Sequence, residues 1–371
     1  MWWNNCWQSL TRVARRQRRY APSARRCVPR LEALEDRSVP SAGYTFATLP
    51  QPPSTGPVSL QGAFGINASG DIVGEYWDAN FVDHGYLYSH GQYTTLDDPQ
   101  AGAGPFQGTS AMGINARGDI VGTYFDANSV EHGFVLSGGH YTTLDDPNAA
   151  PATFGGTFVF HNNDRGDIVG AYIDAKGTEH GFLFSNGRYT TLDATLAGPG
   201  GNTAAYGINN AGQIVGFFSK ADGSVLGGFL LSNGQYTTLD VPGAVLTLPT
   251  GINDRGQVVG LYYDASFNGH GFMDSNGQFT TVDDPDTANT QQFGYNSYAF
   301  GINDRGQVVG EFYDANAVAH SFVATPAPGN SASAASRPAG GAADHTSLIA
   351  VSLLLEKHDH LHGDPVGLGV D

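Results

Sequence analysis

Five aspartate–histidine pairs with a constant spacing are the strongest candidates for chemistry in this sequence. In each pair the histidine follows the aspartate by six residues, and the pairs are Asp78/His84, Asp126/His132, Asp174/His180, Asp264/His270 and Asp314/His320. At the sixth equivalent place, Ser219 and Gly227 replace both residues together. This joint loss predicts that the two side chains of a pair touch. They would form either a hydrogen bond that fixes a loop or a ring of metal or ligand sites, because carboxylate and imidazole groups suit divalent cations.

Adjacent aspartates followed by proline form a second candidate site. They occur as Asp97-Asp98-Pro99, Asp145-Asp146-Pro147 and Asp283-Asp284-Pro285. Carboxylates and backbone carbonyls are the ligands that Ca²⁺ takes in proteins, so these six aspartates are candidate calcium ligands. The alternative is an Asp-Pro turn that only ends a strand. Calcium is the one cofactor that the sequence suggests.

Glu75 and Glu311 are the weak candidates for catalysis. They occupy the same place in two copies of a repeat, described below, that become neighbours if the repeats close into a ring. Two carboxylates in facing repeats could serve as general acid and base, as in glycosidases, or could simply be solvated. The sequence contains no nucleophile elbow, phosphate-binding loop or zinc-type Cys/His spacing.

The elements that position these residues come from an internal repeat. The decapeptide GINDRGQVVG occurs at 251–260 and again at 301–310, and four related segments begin at Gly65, Gly113, His161 and Gly207. The six copies start 48, 48, 46, 44 and 50 residues apart, which is in the range of propeller blades. Helical repeats would need apolar residues three and four apart, and the copies show no such pattern.

Each copy predicts four short β-strands. The first ends at GIN and is followed by an Asn-x-x-Gly turn, for which asparagine and glycine are suited. The second strand, such as DIVGEYWD, is apolar on both faces, so it must be covered on both sides. A glycine at its centre in all six copies indicates close approach of another backbone or ring. The third strand begins near the histidine, and turns such as Ser-Asn-Gly lead into the fourth, YTTLD.

The last copy lacks a fourth strand, and the missing strand lies at the other end of the repeat region. Phe46-Ala47-Thr48-Leu49 precedes the first GIN at the distance expected of such a strand. The sequence therefore predicts an all-β fold over residues 44–324, a closed six-bladed β-propeller of four-stranded blades in which the N-terminal strand completes the last blade. Closure would remove the exposed edges of an open β-array, which is the alternative.

These motifs resemble the HAF-repeat family of predicted extracellular proteins, whose repeat reads approximately GIN-x-x-G-x-IVG followed by His-small-Phe. The resemblance extends over all six copies, and the chain departs from it at His161-Asn162-Asn163 and at Gly227-Gly228-Phe229. It implies a surface location and a repeat fold, and it implies no activity.

The two ends differ from the repeat region in composition. Residues 1–43 form an Arg-rich leader without the apolar stretch of a standard secretory signal. Its segment LEALEDRSVPS resembles leaders of predicted surface proteins of planctomycete-type bacteria, which implies export; the alternative is a basic disordered tail that stays in the cytoplasm. Residues 325–345 predict a Pro/Ala/Gly/Ser linker, and residues 346–371 predict a short helix and a His-rich tail. No stretch of the sequence is apolar enough for a transmembrane segment.

The charge of the chain narrows the choice of partners. The formal net charge is −17, and residues 1–40 carry nine arginines against three acidic residues, so the remainder carries −23. Such an acidic body repels nucleic acid. Near-identical copies favour a repeated binding surface over one asymmetric catalytic site. The sequence therefore predicts an exported, extracellular or cell-surface binding or scaffold protein for a glycan, matrix or protein ligand, with or without calcium. The alternative is a hydrolase or lyase acting on sugars or lactones.

Overall fold

The computed structural model describes residues 43–52, 61–152, 155–223, 226–288, 297–316 and 318–327. Within these ranges it contains 24 β-strands in six four-stranded blades. The predicted leader, most of the predicted linker and the predicted C-terminal helix and tail lie outside the described residues. Among those that are described, no helix has the length and apolar character needed to cross a bilayer.

Four strands build each blade from the axis outward. The innermost strands are β2 (Gln61–Ile66), β6 (Gly108–Ile114), β10 (Thr157–Asn162), β14 (Asn202–Ile208), β18 (Leu246–Ile252) and β22 (Ser297–Ile302). The second strands are β3 (Ile72–Trp77), β7 (Ile120–Phe125), β11 (Ile168–Ile173), β15 (Ile214–Ser219), β19 (Val258–Tyr263) and β23 (Val308–Tyr313). The third strands are β4 (Asp83–Ser89), β8 (Glu131–Ser137), β12 (Glu179–Ser185), β16 (Leu226–Ser232), β20 (Gly269–Ser275) and β24 (Ala319–Pro326). The outermost strands are β5 (Gln92–Leu96), β9 (His140–Leu144), β13 (Arg188–Leu192), β17 (Gln235–Leu239), β21 (Gln278–Thr281) and β1 (Tyr44–Thr48).

The blades close into a ring. Each innermost strand contacts the innermost strands of both neighbouring blades, and β22 contacts β2. Pairing within every blade is antiparallel. Parallel pairs link the first blade to the second, through Asp83 and Gly108, and the second to the third, through Glu131 and Gly156. The predicted six-bladed propeller is therefore confirmed, and an open array is not what the chain forms.

The N-terminal strand completes the last blade, as the sequence predicted. Strand β1 pairs with β24 from Tyr44 opposite Pro326 to Thr48 opposite Phe322. The rings of Phe46 and Phe322 lie 5.3 Å apart, and Leu49 is buried beyond the end of the strand. The sixth blade thus consists of β22, β23, β24 and β1, and it is built from both ends of the described chain.

One valine of each second strand forms the contact between neighbouring blades. These valines are fully buried, and they are Val73, Val121, Val169, Val215, Val259 and Val309. Each belongs to the apolar core of the following blade; Val309 of the sixth blade, for example, packs with Ala63 and Tyr86 of the first. Burying a valine side chain completely contributes about 1.5–3 kcal/mol, so the six contacts hold the ring strongly.

The glycine after this valine is required by packing. A Cβ atom at Gly74 would collide with the carbonyl oxygen of Gly62 and with the ring of Tyr86. The equivalent glycines of the other five blades would likewise meet a carbonyl oxygen of their innermost strand. The close approach that the sequence predicted is therefore present in every blade.

The asparagine of each GIN segment links its blade to the next. Its Nδ2 atom donates to the carbonyl oxygen of the next such asparagine at 3.0 to 3.4 Å, around a complete ring of Asn67, Asn115, Asn163, Asn209, Asn253 and Asn303. Its Oδ1 atom accepts the backbone N–H groups two and four residues later, which shapes the Asn-x-x-Gly turn. The repeated motif therefore fixes the turn and closes the ring with the same side chain.

A β-bulge in each innermost strand fills the axis. The bulge residues are Phe64, Met112, Phe160, Tyr206, Thr250 and Phe300. The rings of Phe64 and Phe300 lie 5.3 Å apart, and those of Phe160 and Tyr206 lie 5.0 Å apart. Beside this layer, a cavity of about 60 Å³ is lined by the asparagine ring and His161. Aromatic side chains of neighbouring blades thus pack against one another at this level.

The propeller has two distinct faces. We call the face with the Asn-x-x-Gly turns and the third-to-fourth-strand hairpins the turn face. The opposite face carries the loops between second and third strands and the connections between blades, and we call it the loop face. The two described ends lie together at the turn face, since the N–H of Ala327 donates to the carbonyl oxygen of Gly43 at 2.7 Å.

Candidate functional site

The predicted aspartate–histidine pairs are in contact on the loop face. The His Nε2 and Asp Oδ2 atoms are 3.9 Å apart for His84–Asp78 and His132–Asp126, 3.5 Å for His180–Asp174, 3.6 Å for His270–Asp264 and 3.3 Å for His320–Asp314. The pairing inferred from joint loss in the fourth blade is consistent with these distances.

A second aspartate, at the end of the outermost strand, is the closer partner of four of these histidines. The Nδ1 atom lies 3.0 Å from the carboxylate of Asp97 for His84 and 3.0 Å from that of Asp145 for His132. It lies 2.7 Å from Asp193 for His180 and 2.6 Å from Asp283 for His270. We call this trio of one histidine and two aspartates the His–carboxylate clasp. It is complete in blades one, two, three and five; in the sixth blade Pro50 occupies the place of the second aspartate.

Strand geometry and an aromatic ring hold each imidazole in the clasp. His84 faces Tyr76 across the β3–β4 pair, and their rings stack with centroids 5.2 Å apart. The hydrogen bond to Asp97 raises the pKa of His84 above its ordinary value, against the opposing effect of burial. The pKa of His132 is raised in the same way by Asp145. In these two clasps the surroundings therefore favour a positive imidazole between two carboxylates.

The loop aspartate of the clasp also shapes its own loop. Oδ1 of Asp78 accepts hydrogen bonds from the backbone N–H groups of Asn80 and Val82 at 2.8 and 2.9 Å. The bond from Val82 is the main cause of the lowered pKa of Asp78. Equivalent bonds are made by Asp126, Asp174, Asp264 and Asp314. The carboxylate thus keeps the loop in one conformation.

The adjacent aspartates proposed as calcium ligands have separate partners. Asp97 binds His84, whereas Asp98 is 2 % exposed and its Oδ1 accepts the N–H of Gln100. Burial raises the pKa of Asp98, and its backbone N–H donates to Thr109 of the next blade. Asp145/Asp146 and Asp283/Asp284 repeat this arrangement. Within the described ranges, no three His, Cys, Asp or Glu side chains are grouped so that they could hold a metal ion. Calcium binding here stays a prediction from the sequence.

Glu75 and Glu311 lie close enough to interact, but each has another partner. Burial and then the charge of Glu75 raise the pKa of Glu311 to about 8, and Glu311 is hydrogen-bonded to Tyr313. Glu75 is paired with Asp83, whose pKa is raised well above its usual value by burial and then by Glu75. Ser110 also donates a hydrogen bond to Oδ2 of Asp83 at 2.7 Å. The structure therefore adds Asp83 to the pair that the sequence predicted.

Two more carboxyl groups, one buried and one half-buried, were missed by sequence reasoning. Glu131 is 1 % exposed, and burial raises its pKa to about 8. Burial also raises the pKa of Glu179 to about 7. Asp83, Glu131 and Glu179 each stand directly before a clasp histidine, whereas Gly269 and Ala319 stand at that place in blades five and six. This difference between copies was the signal in the sequence.

Comparison with known proteins gives likeness to propeller structures only. No family model matches the chain, and no curated protein matches its sequence. A mutant of AofleA from Arthrobotrys oligospora is 13 % identical, with 74 % of this chain and 90 % of that chain covered and a TM-score of 0.43. The fucose-specific lectin from Aleuria aurantia is 10 % identical, with 75 % and 100 % covered and a TM-score of 0.44. TolB from Acinetobacter baumannii is 9 % identical, with 68 % and 63 % covered and a TM-score of 0.38. These likenesses do not establish a function for the chain.

Proposed function

We propose that this chain is an exported, non-catalytic module that binds carbohydrate through its loop face at the cell surface. The observation that carries the proposal is the His–carboxylate clasp, which recurs with the same partners in four blades on one face. A repeated set of identical groups is suited to several weak contacts with one extended ligand, since linked sites raise the overall affinity.

The chemistry of the clasp favours a neutral ligand rich in hydroxyl groups. The side chains of Asp97, Asp145 and Asp193 are 50, 49 and 60 % exposed although each binds a histidine. Both oxygens of Asp97 and of Asp145 contact the histidine Nδ1, but a carboxylate oxygen accepts more than one hydrogen bond, so these exposed groups can still accept from hydroxyl groups. Such charge-assisted bonds are strong. The net charge of −17 disfavours an anionic ligand. Export is supported by the resemblance of the leader and of the repeats to those of predicted surface proteins.

The experiment is a glycan array probed with the full chain in EDTA and again with millimolar Ca²⁺. We expect binding to neutral glycans in both conditions, because the candidate calcium ligands are engaged with His84 and its equivalents or buried. Replacing Asp97, Asp145, Asp193 and Asp283 together by Asn should weaken binding at least tenfold. Asp254→Asn, an exposed aspartate of the turn face, is the matched control. Absence of glycan binding would contradict the proposal, and binding only with Ca²⁺ would support the calcium-dependent form.

The alternative, a hydrolase or lyase acting on sugars or lactones, is favoured by one observation. Glu311, with a pKa of about 8, stays protonated at neutral pH near Glu75, as a general acid must. Its test is turnover of such substrates by the full chain and by Glu311→Gln. Turnover that disappears in the variant while the melting temperature is kept would establish catalysis.

A further inference from the structure

Phe81 and Phe106 form an aromatic surface on the loop face, where the first blade meets the second. Their side chains are each 42 % exposed, and they are the exposed large hydrophobic residues of the described chain. The two ring centroids lie 5.8 Å apart with planes tilted by 32°. Trp77, which is 7 % exposed, supports both rings from below with edge contacts at 6.4 and 5.7 Å.

Both phenylalanines have a backbone conformation that their side chains disfavour. The φ angle is 61° at Phe81 and 63° at Phe106, in the left-handed region. At the place of Phe81 the third blade has Gly177, also at positive φ, so glycine satisfies the same turn. A bulky residue held at such an angle is strained, and strain of this kind concentrates at ligand sites. The turn itself therefore does not require phenylalanine at the place of Phe81.

Hydrogen bonds hold the two rings in place before any ligand arrives. The N–H of Phe106 donates to the carbonyl oxygen of Phe81 at 2.7 Å, which ties the interblade connection to the β3–β4 loop. Asp78 fixes the loop that carries Phe81, and the side chain of Gln107 donates to Ala127 and Ser129 of the second blade. A rigid surface loses little entropy on binding.

The size and surroundings of this surface select the ligand. Two exposed rings are far smaller than the roughly 1,000 Å² that a stable protein interface needs. Asp78 in the same loop has a lowered pKa and carries a negative charge, which disfavours anions. Aromatic faces pack well against the C–H face of a six-membered sugar ring, whose hydroxyl groups then point toward polar neighbours.

We propose that Phe81 and Phe106, supported by Trp77, form a subsite for the apolar face of a neutral pyranose ring. This proposal rests on the proposed carbohydrate binding. The subsite would hold one sugar ring of the ligand at a single place, whereas the clasps recur in four blades. It occurs once in the described chain, because the equivalents of Phe81 in blades two and three are Ser129 and Gly177, and Phe267 in blade five is half-buried.

The test uses the full chain in which Trp2, Trp3 and Trp7 are replaced by Phe, so that Trp77 is the sole tryptophan. The probes are cellohexaose, chitohexaose and xylohexaose, followed by tryptophan emission and titration calorimetry. We expect at least one probe to change the emission of Trp77. Phe81→Gly and Phe106→Gly should each weaken binding at least tenfold while the melting temperature stays the same or rises, because glycine adopts positive φ without strain. Phe267→Gly is the matched control and should bind normally.

The outcomes separate this subsite from the general proposal. Binding of a probe that survives Phe81→Gly combined with Phe106→Gly would overturn the subsite and leave carbohydrate binding in place. Stronger binding of polygalacturonate than of every neutral probe would overturn the preference for neutral rings. If neither these probes nor a glycan array shows binding, the proposed function and the subsite fall together.

Discussion

The side-chain amide of Asn303 donates a hydrogen bond to the carbonyl oxygen of Asn67 at 3.0 Å, although 236 residues separate the two in the chain. The same bond joins each of the remaining five pairs of neighbouring blades. The last repeat therefore contacts the first as if the chain were circular. Side chains that make identical bonds around a ring should be energetically equivalent, and this equivalence can be measured.

We expect Asn303→Asp and Asn253→Asp to destabilise the fold equally, by about 2–4 kcal/mol each, because each loses a buried donor and leaves a carbonyl oxygen unpaired. The two sites are matched, since each amide also donates to the glutamine four residues later. Aspartate keeps the Oδ1 acceptor of the turn, so the loss reports on the link between blades. Urea unfolding gives the free energies. A much smaller effect at Asn303 than at Asn253 would mean that the ring is open between the sixth and first blades.

Deleting residues 44–50 should cost far more stability than deleting residues 328–371. The first deletion removes β1, its pairing with β24 and the buried contacts of Phe46 and Leu49, which together contribute on the order of 5 kcal/mol. The second removes residues beyond the last paired strand. The melting temperatures of the two shortened chains provide the comparison, and equal small decreases would refute the shared blade.

The buried carboxyl of Glu131 should make the fold less stable as the pH rises from about 4.5 to 8. Its folded pKa of about 8 lies above its unfolded value, so the folded state holds a proton that the unfolded state releases in this window. At pH 7 the cost is on the order of 3 kcal/mol. Glu131→Gln should therefore flatten the pH dependence of the unfolding free energy, while the exposed Asp254→Asn should not. Parallel profiles for Glu131→Gln and the unchanged protein would contradict this expectation.

The histidine and the loop aspartate of a clasp stop stabilising the fold at opposite ends of the pH range. The raised pKa of His132 contributes stability that is complete below pH 6.5 and is lost as the pH rises through the raised value. The lowered pKa of Asp126 contributes stability that is lost as the pH falls below about 4. His132→Gln should therefore lower the free energy of unfolding by about 1 kcal/mol at pH 6 and by less at pH 8. The effect is small because solvent partly screens the group.

The control for the clasp is His140→Gln, an exposed histidine in the neighbouring strand β9. Denaturant midpoints for both variants at the two pH values give the comparison. An equal loss for His132→Gln at pH 6 and pH 8 would show that the imidazole contributes by packing on Tyr124 rather than by its charge.

The fold was predictable from the sequence because its residues recur in every copy of the repeat. Much of the candidate site was not predictable, because its residues differ from copy to copy. The asparagine, valine and glycine of each copy have fixed structural tasks, so comparing copies sufficed to place six blades and the shared strand. The contact between Asp78 and His84 was predicted for the same reason. Phe81 and Phe106 occur in segments of different length in each copy, and only the folded path of the interblade connection brings them together. The burial of Glu131 likewise depends on the packing of one blade against the next.

The place where the chain enters and leaves the propeller has a consequence for how this domain can be joined to another protein. Gly43 and Ala327 are hydrogen-bonded neighbours at the edge of the sixth blade, on the turn face. Two ends separated by about one strand spacing of 4.8 Å can be spliced into a surface loop of a host protein without stretching either partner. In such a fusion the propeller would be joined to the host at one site on its turn face. Phe81, Phe106 and the clasps, on the loop face, would then point away from the host.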